Sequence, residues 1–376
     1  MTDSPLPTDG DPNAPPAEVL ATAADLLDRD RAAVLVTVVD VDGNAYRRPG
    51  AVAVVAGDRE IGSVGAGCLS ARVHEVAAAV REAGQPRVER VDPAGDEDAW
   101  GLGLGCDGVV TLLFEPLDAA HGPLLAAAAA GEGSVAVTLL DDDHRGTRAL
   151  FDRDGTERAV GDDFPAARVD TASAAAERFA AEDASGTTRL DGDVRAFVHV
   201  LEPRPELLLV GSGPDVGPIA SLAGDQGFRV TVAGFRGGVD LAERAPAADR
   251  RVTTSPADLA AAVDPSERTY AVVMTHNLVD DHLVLDELLA TPVQYVGLMG
   301  PGERFAELRE TFRDGEGLPP ADRERVYTPV GLDLGASDPR GVALSVVAEV
   351  TAVRNDRDPT HLRRRDGPIH PRPDDA

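Results

Sequence analysis

Leu207-Leu-Leu-Val-Gly-Ser-Gly-Pro-Asp-Val-Gly217 reads as an apolar strand, a glycine turn and the start of a helix. Gly211 permits the tight turn, and Gly213 lets a ligand phosphate approach the backbone. Pro214 suits a first helical position, where its missing N–H costs nothing. Free amides at such a helix start favour an anion. Downstream, predicted strands at Arg229–Ala233, Ala271–Met274 and Val293–Gly297 alternate with predicted helices at Pro256–Ala262, Asp280–Ala290, Pro301–Phe312 and Pro339–Val353. Continuous apolar strands interleaved with helices argue for a Rossmann-like, doubly wound parallel sheet, here over 204–354. NAD(P) is the usual ligand of that architecture. However, the second strand, Arg229-Val-Thr-Val-Ala-Gly234, ends in Gly234 where a ribose-binding carboxylate is expected.

Residues 17–203 read differently. A helical pattern at Val19–Leu27 is followed by short strands at Val34–Val39, Ala51–Val55 and Glu60–Val64. A helix over Cys68–Arg81 comes next, then strands at Val109–Phe114, Val135–Leu140 and Arg148–Phe151. A helix at Ala172–Ala181 and a strand at Arg195–Leu201 close this mixed α+β domain, and no internal repeat is evident. The acidic, Pro-rich residues 1–16 and the stretch 355–376 read as flexible tails.

Composition narrows the function. The chain has 376 residues and a net charge of −29, and all 36 basic residues are arginine. That excludes a Schiff-base or phosphate-loop lysine and argues against nucleic acid as a partner. The acidic excess fits a halophilic surface. No apolar run is long enough to span a membrane and no signal peptide is evident, so a cytoplasmic protein is expected. Two cysteines rule out a disulfide framework.

Both cysteines lie in glycine loops: Gly62-Ser-Val-Gly-Ala-Gly-Cys68, which includes Gly65 and Gly67, and Trp100-Gly-Leu-Gly-Leu-Gly-Cys106. A helix start lowers a thiol pKa and makes a nucleophile or a soft-metal ligand, whereas a buried cysteine would be a small hydrophobe. Tyr46-Arg-Arg-Pro-Gly50 puts Arg47 and Arg48 on a turn, suited to a phosphate, a carboxylate or an ion pair. His276, at the end of a strand, is a ligand candidate, with Asp280, Asp281 and His282 capping the next helix. Gly297-Leu-Met-Gly-Pro-Gly-Glu-Arg304 is a further glycine loop with Arg304 available for an anion.

Together these motifs resemble the XdhC/CoxI family of xanthine dehydrogenase accessory proteins. The resemblance rests on Val36-Thr-Val-Val-Asp40 through Arg47-Arg-Pro-Gly50, Ile61 to Leu69 and Gly101 to Gly108. It continues through Gly211-Ser-Gly213, Val272 to His276, Tyr295 to Gly300 and Pro329-Val-Gly-Leu-Asp-Leu-Gly-Ala-Ser-Asp-Pro339. It implies a dimeric cofactor chaperone rather than an enzyme. Such a protein binds molybdenum cofactor, shields it while a cysteine desulfurase supplies sulfur, and passes it to the large subunit of a molybdenum hydroxylase. In that light Cys68 or Cys106 contacts metal or sulfur, and Arg47, Arg48 and the Gly211–Gly213 turn hold the pterin phosphate. The chain departs from the family at Ser70, Pro214 and Gly234. The alternatives are an NAD(P)-dependent oxidoreductase and a degenerate paralogue that only binds partner proteins.

Overall fold

A computed structural model describes residues 10–43, 45–65, 67–92, 108–141, 143–235, 237–311 and 318–364. The chain divides between Pro203 and Arg204 into two compact units.

The N-terminal unit runs α1 (Pro16–Asp28), β1 (Val34–Asp42), β2 (Val52–Ala56), β3 (Arg59–Gly62), α2 (Ser70–Ala83), β4 (Arg87–Val91) and β5 (Val109–Pro116). It continues with α3 (Gly122–Ala130), β6 (Ser134–Leu139), β7 (Arg148–Phe151), β8 (Glu157–Val160), α4 (Val169–Glu182), β9 (Gly186–Leu190) and β10 (Val194–Leu201). The sheets have strand orders β3-β2-β1-β5-β4 and β8-β7-β6-β10-β9. These are one topology used twice, helix–β–β–β–helix–β–β, so the expectation of no internal repeat is wrong. Val34-Leu-Val-Thr-Val-Val-Asp40 and Val135-Ala-Val-Thr-Leu-Leu-Asp141 begin the two sheets and share their alternation. Elsewhere most of the sequence identity between the copies is gone, while the inward–outward pattern survives.

That pattern builds four layers. Val34, Val36 and Val38 face Val73, Val76 and Val80 of α2. Val135, Val137 and Leu139 face Ala172, Ala176 and Phe179 of α4. The intervening residues meet between the sheets: Leu35, Val52 and Val54 pack with Ala136 and Leu150, and α1 and α3 close this flank. Each fully buried aliphatic side chain contributes about 1.5–3 kcal/mol. Residues 10–15, expected in the flexible tail, are tied down at two points although 11–13 are exposed. Gly62 N donates to Asp11 O at 2.8 Å, and Ala14 is buried.

Polar groups interrupt this inner face. Leu35 is opposite Glu115 in β5, and its counterpart Ala136 is opposite His199 in β10. Arg148 Nη2 donates to Glu115 Oε1 at 2.5 Å, with both side chains buried. His121 Nδ1 lies 3.0 Å from Asp118 Oδ1, and its Nε2 is 3.9 Å from Glu115 Oε2. Glu115, Arg148, His199, Thr37 and Thr138 line a cavity of about 10 Å³. Burial pushes the Glu115 carboxyl up, but Arg148 and His121 outweigh it and hold the pKa below its ordinary 4.5. For His121, burial and Arg148 act downward, and Asp118 and Glu115 outweigh them, raising it above 6.5. The lowered Glu115 adds stability above pH 4.5 that disappears as pH falls through its folded value. The raised His121 adds stability below pH 6.5 that disappears as pH rises through its own. The cluster's contribution is therefore expected to peak between pH 4.5 and 6.5. A urea-midpoint series against pH checks this. In His121→Gln the alkaline limb should flatten and the acid limb remain.

The C-terminal unit holds β11 (Glu206–Val210), α5 (Val216–Asp225), β12 (Arg229–Gly234), α6 (Leu241–Arg244), β13 (Arg250–Thr253), α7 (Leu259–Val263) and β14 (Thr269–Val273). After these come α8 (Leu278–Leu289), β15 (Tyr295–Leu298), α9 (Gly302–Thr311), α10 (Pro320–Glu324), β16 (Val326–Tyr327) and α11 (Pro339–Arg354). Six parallel strands run in the order β13-β12-β11-β14-β15-β16. This is the 3-2-1-4-5-6 order of a dinucleotide-type sheet. β11 is buried on both faces, as a doubly wound sheet requires. Leu207 and Leu209 face α5 and α11, and Leu208 and Val210 face α7 and α8.

Candidate functional site

Topology brings the N-terminal motifs to one end of the first sheet. β1 ends there, β2 starts there and β3 ends there, so the arginine turn and the glycine loop emerge side by side. β4 also ends there and β5 begins there, with Val91 opposite Val110. Cys106, in the connection between those strands, lies outside the described residues. The Cys68 backbone stands in a 3₁₀ turn, Gly67–Leu69, that leads into α2.

Hydrogen bonds join the two loops. Arg47 Nε donates to Ser63 O at 3.2 Å, and Ser63 Oγ donates to Gly65 O at 2.7 Å. The Arg47 guanidinium lies 4.8 Å from the centre of the exposed Tyr46 ring. Arg48 is exposed, and its carbonyl accepts from Ala51 N. Among the described residues, a Cβ at Gly67 would meet nothing within 4 Å, whereas one at Gly65 would strike Leu69 at 2.3 Å. Gly67 is thus uncovered by any described residue, and Gly65 is needed for packing. Ser63 escapes a reading of the sequence because nothing local marks a backbone carbonyl as an arginine partner.

In the C-terminal unit the order reverses between β11 and β14, where ligands bind in open α/β sheets. The turns after these strands meet at that point. A Cβ at Gly211 would lie 2.7 Å from Met274 O, and one at Gly213 would lie 3.1 Å from His276 Nε2. His276 is exposed beside the turn. The helix α5 starts at Val216, later than expected, with Asp215 as its N-cap residue. A carboxylate there opposes an anion at the same helix end, and Pro214 offers no amide.

Two other expectations need correction. Arg304 is engaged by a carboxylate of the protein. Its Nε donates to Asp281 Oδ2 at 2.8 Å, and its Nη2 donates to Asp281 Oδ2 and to Thr275 O. Asp281 is fully buried and also accepts from Thr275 Oγ1. Asp281 is therefore an anchor for α9 rather than a helix cap. Asn277 caps α8, accepting from Val279 N at 2.9 Å and Asp280 N at 3.4 Å. His282 pairs with Asp286. At Gly234 a Cβ would lie 3.2 Å from Leu241 Cδ2, and nearby Asp240 caps α6 by accepting from Ala242 N. No acid takes the ribose-binding position.

No group of three metal-ligating side chains occurs among the described residues. No helix among them is long and apolar enough to cross a membrane.

A duplicated two-sheet unit is followed by a Rossmann-ordered unit, with glycine turns at strand ends, which makes this a two-unit α/β protein. The pattern described as "XdhC and CoxI family" matches residues 26–92, and that described as "XdhC Rossmann domain" matches residues 207–350. The chain belongs to the XdhC/CoxI family. A relative from Bacillus subtilis (strain 168), a probable subunit of xanthine dehydrogenase, is 29% identical over 343 residues, covering 88% of this chain and 95% of that one. The molybdenum cofactor insertion chaperone PaoD of Escherichia coli (strain K12) is 26% identical over 338 residues, covering 89% and 88%. A crystal structure described as that of a xanthine dehydrogenase from Bacillus halodurans superposes with a TM-score of 0.72 at 25% identity, covering 91% of this chain and 96% of that one.

Proposed function

We propose that this protein binds molybdenum cofactor, shields it during sulfuration and delivers it to a molybdenum hydroxylase, acting as a chaperone rather than an enzyme. The observation that carries this reading is the similarity to an insertion chaperone over 89% of this chain, spanning both units, together with the clustering of the family motifs at one end of the first sheet. Arg47 and Arg48 supply guanidinium groups for the pterin phosphate, on the turn beside the Gly62–Cys68 glycine loop. Cys68 lies in the 3₁₀ turn just before α2 at the same end, and a thiolate is a soft ligand for metal or sulfur. A cysteine desulfurase supplies the sulfur, and a homodimer is the working form. The oxidoreductase alternative lacks a ribose-binding acid at Gly234.

The test is ligand content. The protein is purified anaerobically from a host that makes molybdenum cofactor, denatured and oxidised to the fluorescent pterin. Wild type should carry pterin at a sizeable fraction of its own concentration. Arg47→Ala should retain roughly a tenth, the loss of one charge-assisted contact at about 1.5 kcal/mol. Nicotinamide dinucleotide without pterin would overturn the proposal in favour of the oxidoreductase. Neither ligand would leave the partner-binding paralogue.

A further inference from the structure

The two repeats clasp each other through equivalent residues. Gly50 precedes β2 and Gly146 precedes β7. Both have positive φ, +96° and +84°, and their amides donate to the equivalent carbonyls of Val38 and Leu139. Each is covered from the other repeat. A Cβ on Gly146 would meet Pro86 Cγ at 2.7 Å and Glu115 Oε1 at 3.4 Å. A Cβ on Gly50 would meet Ser185 Oγ at 3.0 Å and His199 Cδ2 at 3.6 Å. Pro86 and Ser185 each stand just before the strand, β4 or β9, that follows the repeat's second helix. Glu115 and His199 share one register position. The pairs thus obey a single approximate twofold relation.

The chemistry at the two ends differs. Glu115 is held by Arg148, whereas the imidazole of His199 stands against Gly50 and is coupled to its backbone. Gly50 is the last residue of the arginine turn. Thr187 Oγ1 adds a second tie across the repeats, donating to Val39 O at 2.8 Å. We infer that His199, a core residue of the second repeat, is a positioning residue for the Arg47–Arg48 turn of the first. It fixes the Gly50 peptide, and through it the register in which Arg47 reaches Ser63. This rests on the proposed function only in assigning the turn to cofactor binding.

His199 is buried and neutral, its pKa pushed down to about 4 by burial and by Arg148, so it acts as a fixed donor at ordinary pH. Arg148 and Glu115 are the charged groups acting on it, with Arg148 lowering and Glu115 raising its pKa.

The experiment compares His199→Leu with His199→Gln in the full chain. Glutamine keeps an N–H for the Gly50 carbonyl and leucine does not. The first readout is amide hydrogen exchange at Gly50 and Ala51, whose N–H groups bond within the turn to Val38 O and Arg48 O. In His199→Leu these amides should exchange about tenfold faster, and in His199→Gln within about threefold of wild type, as expected for one hydrogen bond. Amides of β6 should be unchanged in both. The second readout is pterin content, expected to fall about tenfold in His199→Leu and to be rescued in His199→Gln. Equal exchange in the two variants, or a uniform rise that includes β6, would overturn the positioning role. If His199→Leu does not fold, Thr187→Val serves in its place, since it removes only the second tie. It should speed exchange at the same two amides, and no change there would count against the clasp. If wild type holds no pterin, the cofactor reading fails, while the exchange data still decide the positioning role.

Discussion

Replacing Arg148 with methionine is expected to destabilise the N-terminal unit by about 3–5 kcal/mol, because it strands a carboxylate in an apolar core. Glu115 is 3% exposed and its guanidinium partner 7%, so water cannot take over the lost contact. The paired replacement Glu115→Leu with Arg148→Met should recover most of that loss, since two well-packed apolar side chains remove both desolvation penalties. Hydrogen exchange of β1 and β6 against denaturant reads the effect in the intact protein. A single variant that keeps wild-type protection would mean that the pair does not hold the sheets together. A double variant as weak as the single one would show that packing, not charge, sets the cost.

In the C-terminal unit, Asp281→Ala is expected to cost about 3 kcal/mol, at the lower end for a broken buried pair because Arg304 keeps some access to water. The carboxylate accepts from Thr275 and from two nitrogens of Arg304, so its removal takes away three hydrogen bonds at once. The loss should be local before it is global. Peptides covering α9 should lose exchange protection first, because Arg304 is what ties that helix to α8. Strands β11 and β12 should follow only near the global transition. Asp281→Asn tests the charge separately: the amide can still accept from Thr275 but cannot form the ion pair, so it should fall between the other two. Simultaneous loss across the whole unit would contradict an anchoring role.

Much of the fold is legible in the sequence because the strands that carry the core are apolar in their own right. The valine and leucine runs of β1, β6, β11, β12 and β14 mark those strands to within a few residues. What escapes such a reading is sheet-edge strands and short helices. β4, Arg-Val-Glu-Arg-Val, is partly exposed along its length, and β8, β13 and β16 are also edges. Such strands show little apolar alternation. α3, Gly-Pro-Leu-Leu followed by five alanines, is apolar without helical periodicity. The repeat is present in Val-x-Val-Thr-x-x-Asp at 34–40 and 135–141, but only a comparison at that spacing shows it.

The site is legible as motifs and not as contacts. Glycine loops and strand ends identify themselves locally. That Arg47 turns to Ser63, or Arg304 to Asp281, depends on where loops far apart in sequence arrive. His199 sits in Phe-Val-His-Val, where alternation alone reads as core; its register opposite Ala136 and its contact with Gly50 are what distinguish it.

The duplicated architecture also bears on how the chain is made. The first repeat is complete when Pro116 has left the ribosome, but its inner face is covered only once Leu201 has followed. That is 201 − 116 = 85 residues later, or roughly 4–17 s at the usual speed of synthesis. For that interval Leu35, Val52 and Val54 form an open apolar surface on a nascent sheet, the kind of surface that chaperones bind and aggregates grow from. Glu115, set among them, waits 148 − 116 = 32 residues for Arg148 and is free to hydrate until then.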